Sequence, residues 1–452
     1  MSNREDAMNA AHLPPGPSSP RAAQTLRWLA DGPRYLRDCR ARYGDVFTLD
    51  LLPYAVAGPG AGTRWTPWVF LANPEHIKQV FRADPATVLT GETNMFLRGV
   101  VGERSILVLD EPMHMAERRL LHPPLHGDRV AGYRDLIADV TRARIRHWPV
   151  GRPFAVWPHM RAITLEVIVR AIFGITEAAE VARWQNLLGR LLDGMTGARF
   201  LAVHGLHAMV TGGRAGDLGE SAPARRLLRP VDDAIFTEIA ARRSAPGGGG
   251  DILSALMREE RTDQQLRDEL ITLLIAGHES TSTMLAWAFE RLLRHPDQLA
   301  RLRAQPDEDA AEAYADAVVK ETLRLRPVLP IVLRKLAAPM TLGEHQLPAG
   351  AWLAPCAYLV QRDPAVHADP ERFRPERFLG TAPKAHEWTP FGGGVRRCLG
   401  ANFAQLEMRV VLRTVLDQVE LRPAGPAAER TRRRFITYAP SRGGRVVLAG
   451  PR

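Results

Sequence analysis

Phe391-Gly392-Gly393-Gly394-Val395-Arg396-Arg397-Cys398-Leu399-Gly400 is the stretch on which the reading of this chain turns. Three consecutive glycines make a poor strand and a worse helix, but they let the backbone turn sharply and approach a flat ligand closely. Cys398 then falls at the start of a segment, Leu399 to Val419, whose apolar spacing predicts a helix. The helix dipole and its free N–H groups there favour a thiolate over a thiol. A thiolate carried on a glycine turn is suited to ligate a metal; the plainer reading is a buried structural cysteine in an ordinary turn. Phe, Gly, Arg, Cys and Gly at 391, 394, 396, 398 and 400 should occur by chance in about one in ten thousand chains of this composition.

The other two cysteines, Cys39 and Cys356, are distant in sequence and no C-x-x-C pair exists, which argues against a disulfide framework or a zinc cluster. The 452 residues, 45% hydrophobic, can bury a large core. No Ser- or Pro-rich linker divides them, and Thr211 to Glu220 and Ser244 to Gly250 read as loops within one domain. Met1 to Pro20 is polar, then proline-rich, without the ~20 apolar residues of a membrane span, so a soluble, cytoplasmic protein is expected. The formal charge is +10, yet only Lys78, Lys320, Lys335 and Lys384 are lysines and the arginines are dispersed. That pattern argues against nucleic acid and fits a basic face for an acidic protein partner.

Working outward, Val46 to Leu51 and Trp68 to Leu71 read as strands, and Asn73 caps a helix over Pro74 to Arg82. Asp128 to Gly174 and Glu180 to Leu192 show helical apolar spacing. The strongest helix runs from Thr262, in a capping box with Gln265, to about His295, and Pro296 closes it. Roughly 50 Å long at 1.5 Å per residue, it must cross the core. Its centre is unusual: Leu273 to Ala276 lead into Gly277-His278-Glu279-Ser280-Thr281-Ser282-Thr283. Ala310 to Leu325 is a further helix, while Val328 to Leu333, Ala351 to Leu353 and Arg445 to Leu448 read as short strands.

The cysteine stretch resembles the haem-binding signature F-x-x-G-x-R-x-C-x-G of the cytochrome P-450 family at every fixed position, and the likeness extends from about Leu13 to the end. It implies a mostly α fold with small β-sheets (α+β): a flexible Pro-rich segment at 1–20, then one large domain at 21–452 around heme b, iron protoporphyrin IX. Cys398 becomes the iron ligand, with Phe391 and Arg396 beside the cofactor. His114 and Arg118, one helical turn apart, resemble the family's H-x-x-x-R haem contacts, and Arg334 and Arg396 are similar to its other propionate partners. Glu321 and Arg324, with Pro375-Glu376-Arg377-Phe378, resemble the network behind the cysteine loop.

Ala276-Gly277-His278-Glu279-Ser280 is similar to the family's A-G-x-[D/E]-T segment. The resemblance implies that small Ala276 and Gly277 leave room over the haem and that Glu279 and Ser280 relay protons. Serine in place of threonine keeps the hydroxyl but loses the β-branch that fixes its rotamer. A polar kink in a core helix is the competing reading.

A thiolate ligand donates electron density to iron and favours O–O cleavage. The activity implied is therefore monooxygenation of a lipophilic small molecule by O2, in a pocket walled by Met95 to Val101, Leu273 to Ala276, Val328 to Val332 and Phe435 to Thr437. No flavin or dinucleotide segment is evident, so electrons are expected from an acidic ferredoxin or flavodoxin docking near Arg119, Arg397, Arg409 and Arg413. A peroxygenase or isomerase without an electron partner, or a haem-based sensor, are the alternatives.

Overall fold

A computed structural model describes residues 13–52, 67–196, 222–245, 250–434 and 436–452. The helices that organise it are α1 (Arg21–Tyr43), α2 (Pro74–Arg82), α3 (Met113–Leu121), α4 (Arg134–Ile145), α5 (Trp157–Phe173), α6 (Ala178–Thr196), α7 (Ala222–Ser244), α8 (Asp263–Leu293), α9 (Pro296–Arg303), α10 (Glu308–Leu325) and α11 (Ala401–Gln418). Thr211 to Glu220, read as a loop, lies outside the described residues, as do 246–249.

α8 is the axis of the molecule. Thr262 Oγ1 accepts the Gln265 N–H and Gln265 Oε1 accepts the Thr262 N–H, the reciprocal cap expected of the sequence. Its 31 residues, about 46 Å long, pack against α5 on one side and α11 on another, with Trp287 and Phe289 fully buried between neighbours. α2 starts where Asn73 Oδ1 accepts the N–H groups of Glu75 and His76, with Pro74 in the first turn. α10 is capped by Asp307 and begins at Glu308, two residues earlier than its apolar spacing suggests.

The strands are β1 (Val46–Leu49), β2 (Trp68–Leu71), β3 (Val88–Leu89), β4 (Pro153–Ala155), β5 (Arg334–Leu336), β6 (Met340–Leu342), β7 (His345–Leu347), β8 (Trp352–Pro355), β9 (Val419–Pro423), β10 (Thr431–Arg434), β11 (Thr437–Pro440) and β12 (Arg445–Pro451). The largest sheet has the order β1-β2-β8-β5-β3, parallel only between β2 and β8. β4-β12-β9 form a second sheet, and β6-β7 and β10-β11 are antiparallel pairs. Val328 to Leu333 is not a strand: the regular ladder with β8 begins at Arg334, preceded only by the Val332 N–H donating to the Pro355 carbonyl at 3.2 Å, and Pro327 and Pro330 lack the N–H that would carry it further. Among the described residues, no helix is long and apolar enough to cross a membrane.

Candidate active site around the Cys398 loop

The cysteine loop is a tight return in which the Cys398 N–H donates to the Phe391 carbonyl at 2.9 Å. Gly392 and Gly394 have φ of 66° and 65°, a region that only glycine adopts freely. Gly393 and Gly394 are also packed under α2. A Cβ on Gly393 would overlap the Phe81 ring, and one on Gly394 would overlap the Phe81 carbonyl. The glycines that the sequence assigns to ligand approach are thus required by a helix on their other side.

Cys39 and Cys356 are buried in the core, whereas Cys398 is exposed. Burial among the surrounding elements still pushes the Cys398 thiol up, outweighing the Gly400 N–H and the charges of Arg397 and Arg118. This corrects the expectation of a thiolate favoured by the helix end alone. Gly400 is the N-cap and Cys398 lies two residues before it, so the thiol meets one backbone N–H rather than a full helix terminus. Coordination to a metal deprotonates such a thiol.

Around the loop lies an excess of positive charge. Arg334 is 5% exposed, donates only to the carbonyl of its neighbour Leu333 at 2.7 Å, and has no carboxylate partner among the described residues. Burial and then Arg396 pull its pKa down to about 10. Its guanidinium lies 5.7 Å from the centre of the Phe81 ring. Arg118 likewise has no carboxylate partner among the described residues, and burial lowers its pKa despite Cys398. His114 is buried, with Nδ1 2.8 Å from Glu111 Oε1; burial and Arg396 hold its pKa down. Arg396 donates to Asp110 at 2.8 Å and to the Leu109 carbonyl at 2.6 Å. Asp110 also accepts the N–H groups of Thr90, Gly91 and Glu92. The sequence reading missed Asp110, although it stands four residues before His114. Buried guanidiniums without counter-charges are costly, and the carboxylates of a haem would supply those charges. The residues present therefore fit the group.

Behind the loop, Glu321 and Arg324 are both fully buried and joined by hydrogen bonds of 2.7 and 2.9 Å. Arg377 Nε meets Glu321 at 3.0 Å. The expected three-residue network is present, and Arg324 also donates to the carbonyls of Gln361, Pro370 and Arg372.

In the middle of α8, Leu273, Ile275, Ala276, Gly277, Glu279 and Ser280 keep some exposure, Ala276 the most, and Leu273, Ala276, Gly277 and Ser280 form one group among them. Their spacing of three, four and seven residues places them on one face. Leu274, assigned to the pocket wall by sequence, is instead fully buried on another face. A Cβ on Gly277 would stand 3.0 Å from Ile168 Cδ1 on α5, so that glycine serves the close packing of the two helices. Ser280 Oγ donates back to the Ala276 carbonyl at 3.0 Å, and the backbone of α8 remains helical throughout without a kink. His278 is buried and neutral, its pKa pushed down to about 4 by burial, with Nδ1 2.8 Å from the Leu274 carbonyl.

Glu279 is held by two arginines that no sequence motif singles out: Arg434 on β10 at 3.4 Å and Arg161 on α5 at 3.9 Å. Both also pair with Asp193 and both lie over the Trp157 ring. Burial nevertheless pushes the Glu279 carboxyl up, more than these arginines pull it down. Met95, Leu97, Ile331 and Val332 of the expected walls are half-buried, while Phe435 lies outside the described residues.

Two arginines of the expected docking face are already neutralised. Arg409 pairs with Glu312 and Asp316, and Arg413 with Glu308 and Glu312. Burial alone would raise the Glu312 carboxyl, but Arg134 and Arg409 pull it down to about 2. Arg119 and Arg397 are exposed and carry no ion pair among the described residues.

An α-rich domain traversed by one long helix, with a thiol on a glycine turn among unpaired cations, defines a haem-thiolate class of protein. The chain belongs to the cytochrome P450 family, whose model matches residues 14–439. It is similar to cytochrome P450 135B1 of Mycobacterium tuberculosis, 40% identical over 454 residues that cover 97% of this chain and 92% of that one. It is also similar to cytochrome P450 137 of the same species, at 38% over 458 residues covering 98% and 92%. Among solved structures, the retinoic acid-bound cyanobacterial CYP120A1 superposes with a TM-score of 0.80 at 20% identity, covering 97% of this chain and 100% of that one. The cytochrome P450DA heme domain does so with 0.80 at 21%, covering 97% and 98%. The fold is that of the family, and the chain is a haem-dependent oxidoreductase of the monooxygenase type.

Proposed function

We propose that this enzyme inserts one oxygen atom of O2 into a lipophilic small molecule, with electrons delivered by a separate acidic ferredoxin or flavodoxin. The observation that carries the reading is the open stripe of α8: apolar Leu273 and Ala276 run directly into the Glu279–Ser280 pair, between buried turns at 266–272 and 281–290.

Cys398 would ligate the iron, with Phe391 beside the loop. Arg118, Arg334 and Arg396, with His114, would hold the two propionates, to which guanidiniums are matched in charge and geometry. Bound there, haem supplies the centre at which dioxygen is activated with two electrons and two protons. The apolar side chains of the stripe and of Met95, Leu97 and Ile331 hold substrate by burial and exclude water. Ser280 donates its proton to the Ala276 carbonyl in the resting site and keeps its lone pairs as acceptors; a rotation of χ1 redirects that donor away from the helix backbone. Glu279, its carboxyl pushed up by burial, holds a proton more readily than an exposed glutamate does. Release from Arg161 and Arg434 would let it hand that proton toward Ser280.

A reduced, CO-bound absorption spectrum of wild type and Cys398→Ser tests the ligand. The thiolate-type band in the first and its absence in the second are expected; an identical band in both would sink the assignment. A spectral-shift screen of lipophilic compounds, followed by turnover with a surrogate ferredoxin, tests the activity.

A further inference from the structure

The open stripe of α8 is closed at one end. Glu269 stands four residues before Leu273 and seven before Ala276, hence on the same face and about 10 Å along the axis. There a segment of chain lies across the helix. Glu269 is fully buried, and its Oε1 accepts the Ile106 N–H at 2.8 Å. Asp268 accepts the Arg104 N–H at 3.0 Å, and the hydroxyls of Thr272 and Ser105 are 2.7 Å apart. Gly102 sits so close that a Cβ on it would overlap the Asp268 carboxylate. One helix face thus holds three successive residues, Arg104, Ser105 and Ile106. Ile106 is also held from the opposite direction, since its carbonyl accepts from Arg396 at 3.5 Å. A single peptide segment joins the long helix to the cysteine loop.

We infer that Glu269 is a positioning residue for the reaction: by holding the Ile106 N–H it fixes the 102–106 segment across the end of the open stripe, and so sets the adjoining pocket wall at 95–101 and the aim of Arg396. The inference rests on the reading of that stripe as the substrate side of the site. Glu269 Oε2 is buried without a hydrogen-bond partner among the described residues. Burial, and then Glu117, push the carboxyl well above the usual carboxylate range. A neutral acid keeps the acceptor that Ile106 needs and avoids an unpaired buried charge. Glutamine would do the same, whereas leucine would leave a buried N–H without an acceptor.

The test compares holoenzymes of wild type, Glu269→Gln and Glu269→Leu. Haem-ligand titrations with imidazole, which is small, and 4-phenylimidazole, which must share the pocket, are read with hydrogen exchange at 104–106. Glu269→Leu is expected to weaken 4-phenylimidazole about tenfold, with imidazole within about twofold, and to speed exchange at Ile106 about tenfold, the scale of one lost buried hydrogen bond. Glu269→Gln restores all three to near wild type. An unchanged ratio of the two azole affinities in Glu269→Leu, or equal damage in Glu269→Gln, overturns the inference. Should Glu269→Leu not fold, Thr272→Val removes the adjoining fastening and is expected to shift the same ratio about threefold; no shift there overturns it equally. Absence of the thiolate CO band from wild type would overturn the functional reading and this inference with it, whereas a changed ratio with the band intact concerns Glu269 alone.

Discussion

The carbonyl of Phe81, on the last turn of α2, occupies the space that any side chain on Gly394 would need. The same glycine has φ of 65°, so it is constrained twice, by conformation and by contact. Gly394→Ala should therefore cost about 2–4 kcal/mol, the sum of a left-handed penalty and overpacking against backbone that cannot yield. Haem content and thermal denaturation measure it; wild-type values for both would contradict the packing argument.

Breaking the buried pair behind the loop should be costlier still. Arg324→Ala leaves buried Glu321 with Arg377 and the Arg374 N–H, and takes a donor from the carbonyls of Gln361, Pro370 and Arg372, for a loss of about 3–5 kcal/mol. Denaturant unfolding of the holoenzyme reads the change.

Arg334 makes opposite demands on the haem-free and haem-bound protein. Its folded pKa, about 10, lies below the ordinary guanidinium value, so the penalty on the charged form is fully present at neutral pH. It is relieved only as pH rises through about 10 and vanishes above the unfolded value. Arg334→Met should stabilise the haem-free protein at pH 7 by roughly 3 kcal/mol and weaken haem retention. Melting curves with and without haem, and haem transfer to an acceptor protein, test the two halves separately.

The Glu279–Ser280 pair should divide coupling from stability. Ser280→Ala removes one back-bonded hydroxyl and should alter stability by less than about 1 kcal/mol, while product formed per NAD(P)H falls and peroxide rises. Glu279→Gln should slow product formation about a hundredfold, the lower range for a lost acid–base group. Unchanged product yield in Ser280→Ala would remove the hydroxyl from the relay.

Charge reversal should sort the docking arginines. Arg119→Glu and Arg397→Glu are expected to slow reduction by an acidic ferredoxin, most at low ionic strength, and added salt should narrow the difference. Arg413→Ala should instead lower stability, because its partners Glu308 and Glu312 lie within the same protein. Reduction rates across a salt series decide the matter.

Local signals were legible where local physics decides. The Thr262/Gln265 box, the Asn73 cap and Pro296 marked helix ends to within a residue or two, since capping involves neighbours in sequence. The five fixed positions of the cysteine loop, with the order of the other motifs, specified the family before any contact was known. What sequence could not supply were partners brought together over long separations. Only the tertiary structure set Phe81 against Gly394, Asp110 on Arg396, Arg161 and Arg434 on Glu279, and Ile106 on Glu269. It also withdrew Arg409 and Arg413 from the surface charge by giving them carboxylates of α10. The cysteine and its glycine turn belonged to the sequence. Which charges remain unpaired, and which face of α8 is open, was decided by packing, because a side chain's charge and exposure depend on what the fold places beside it.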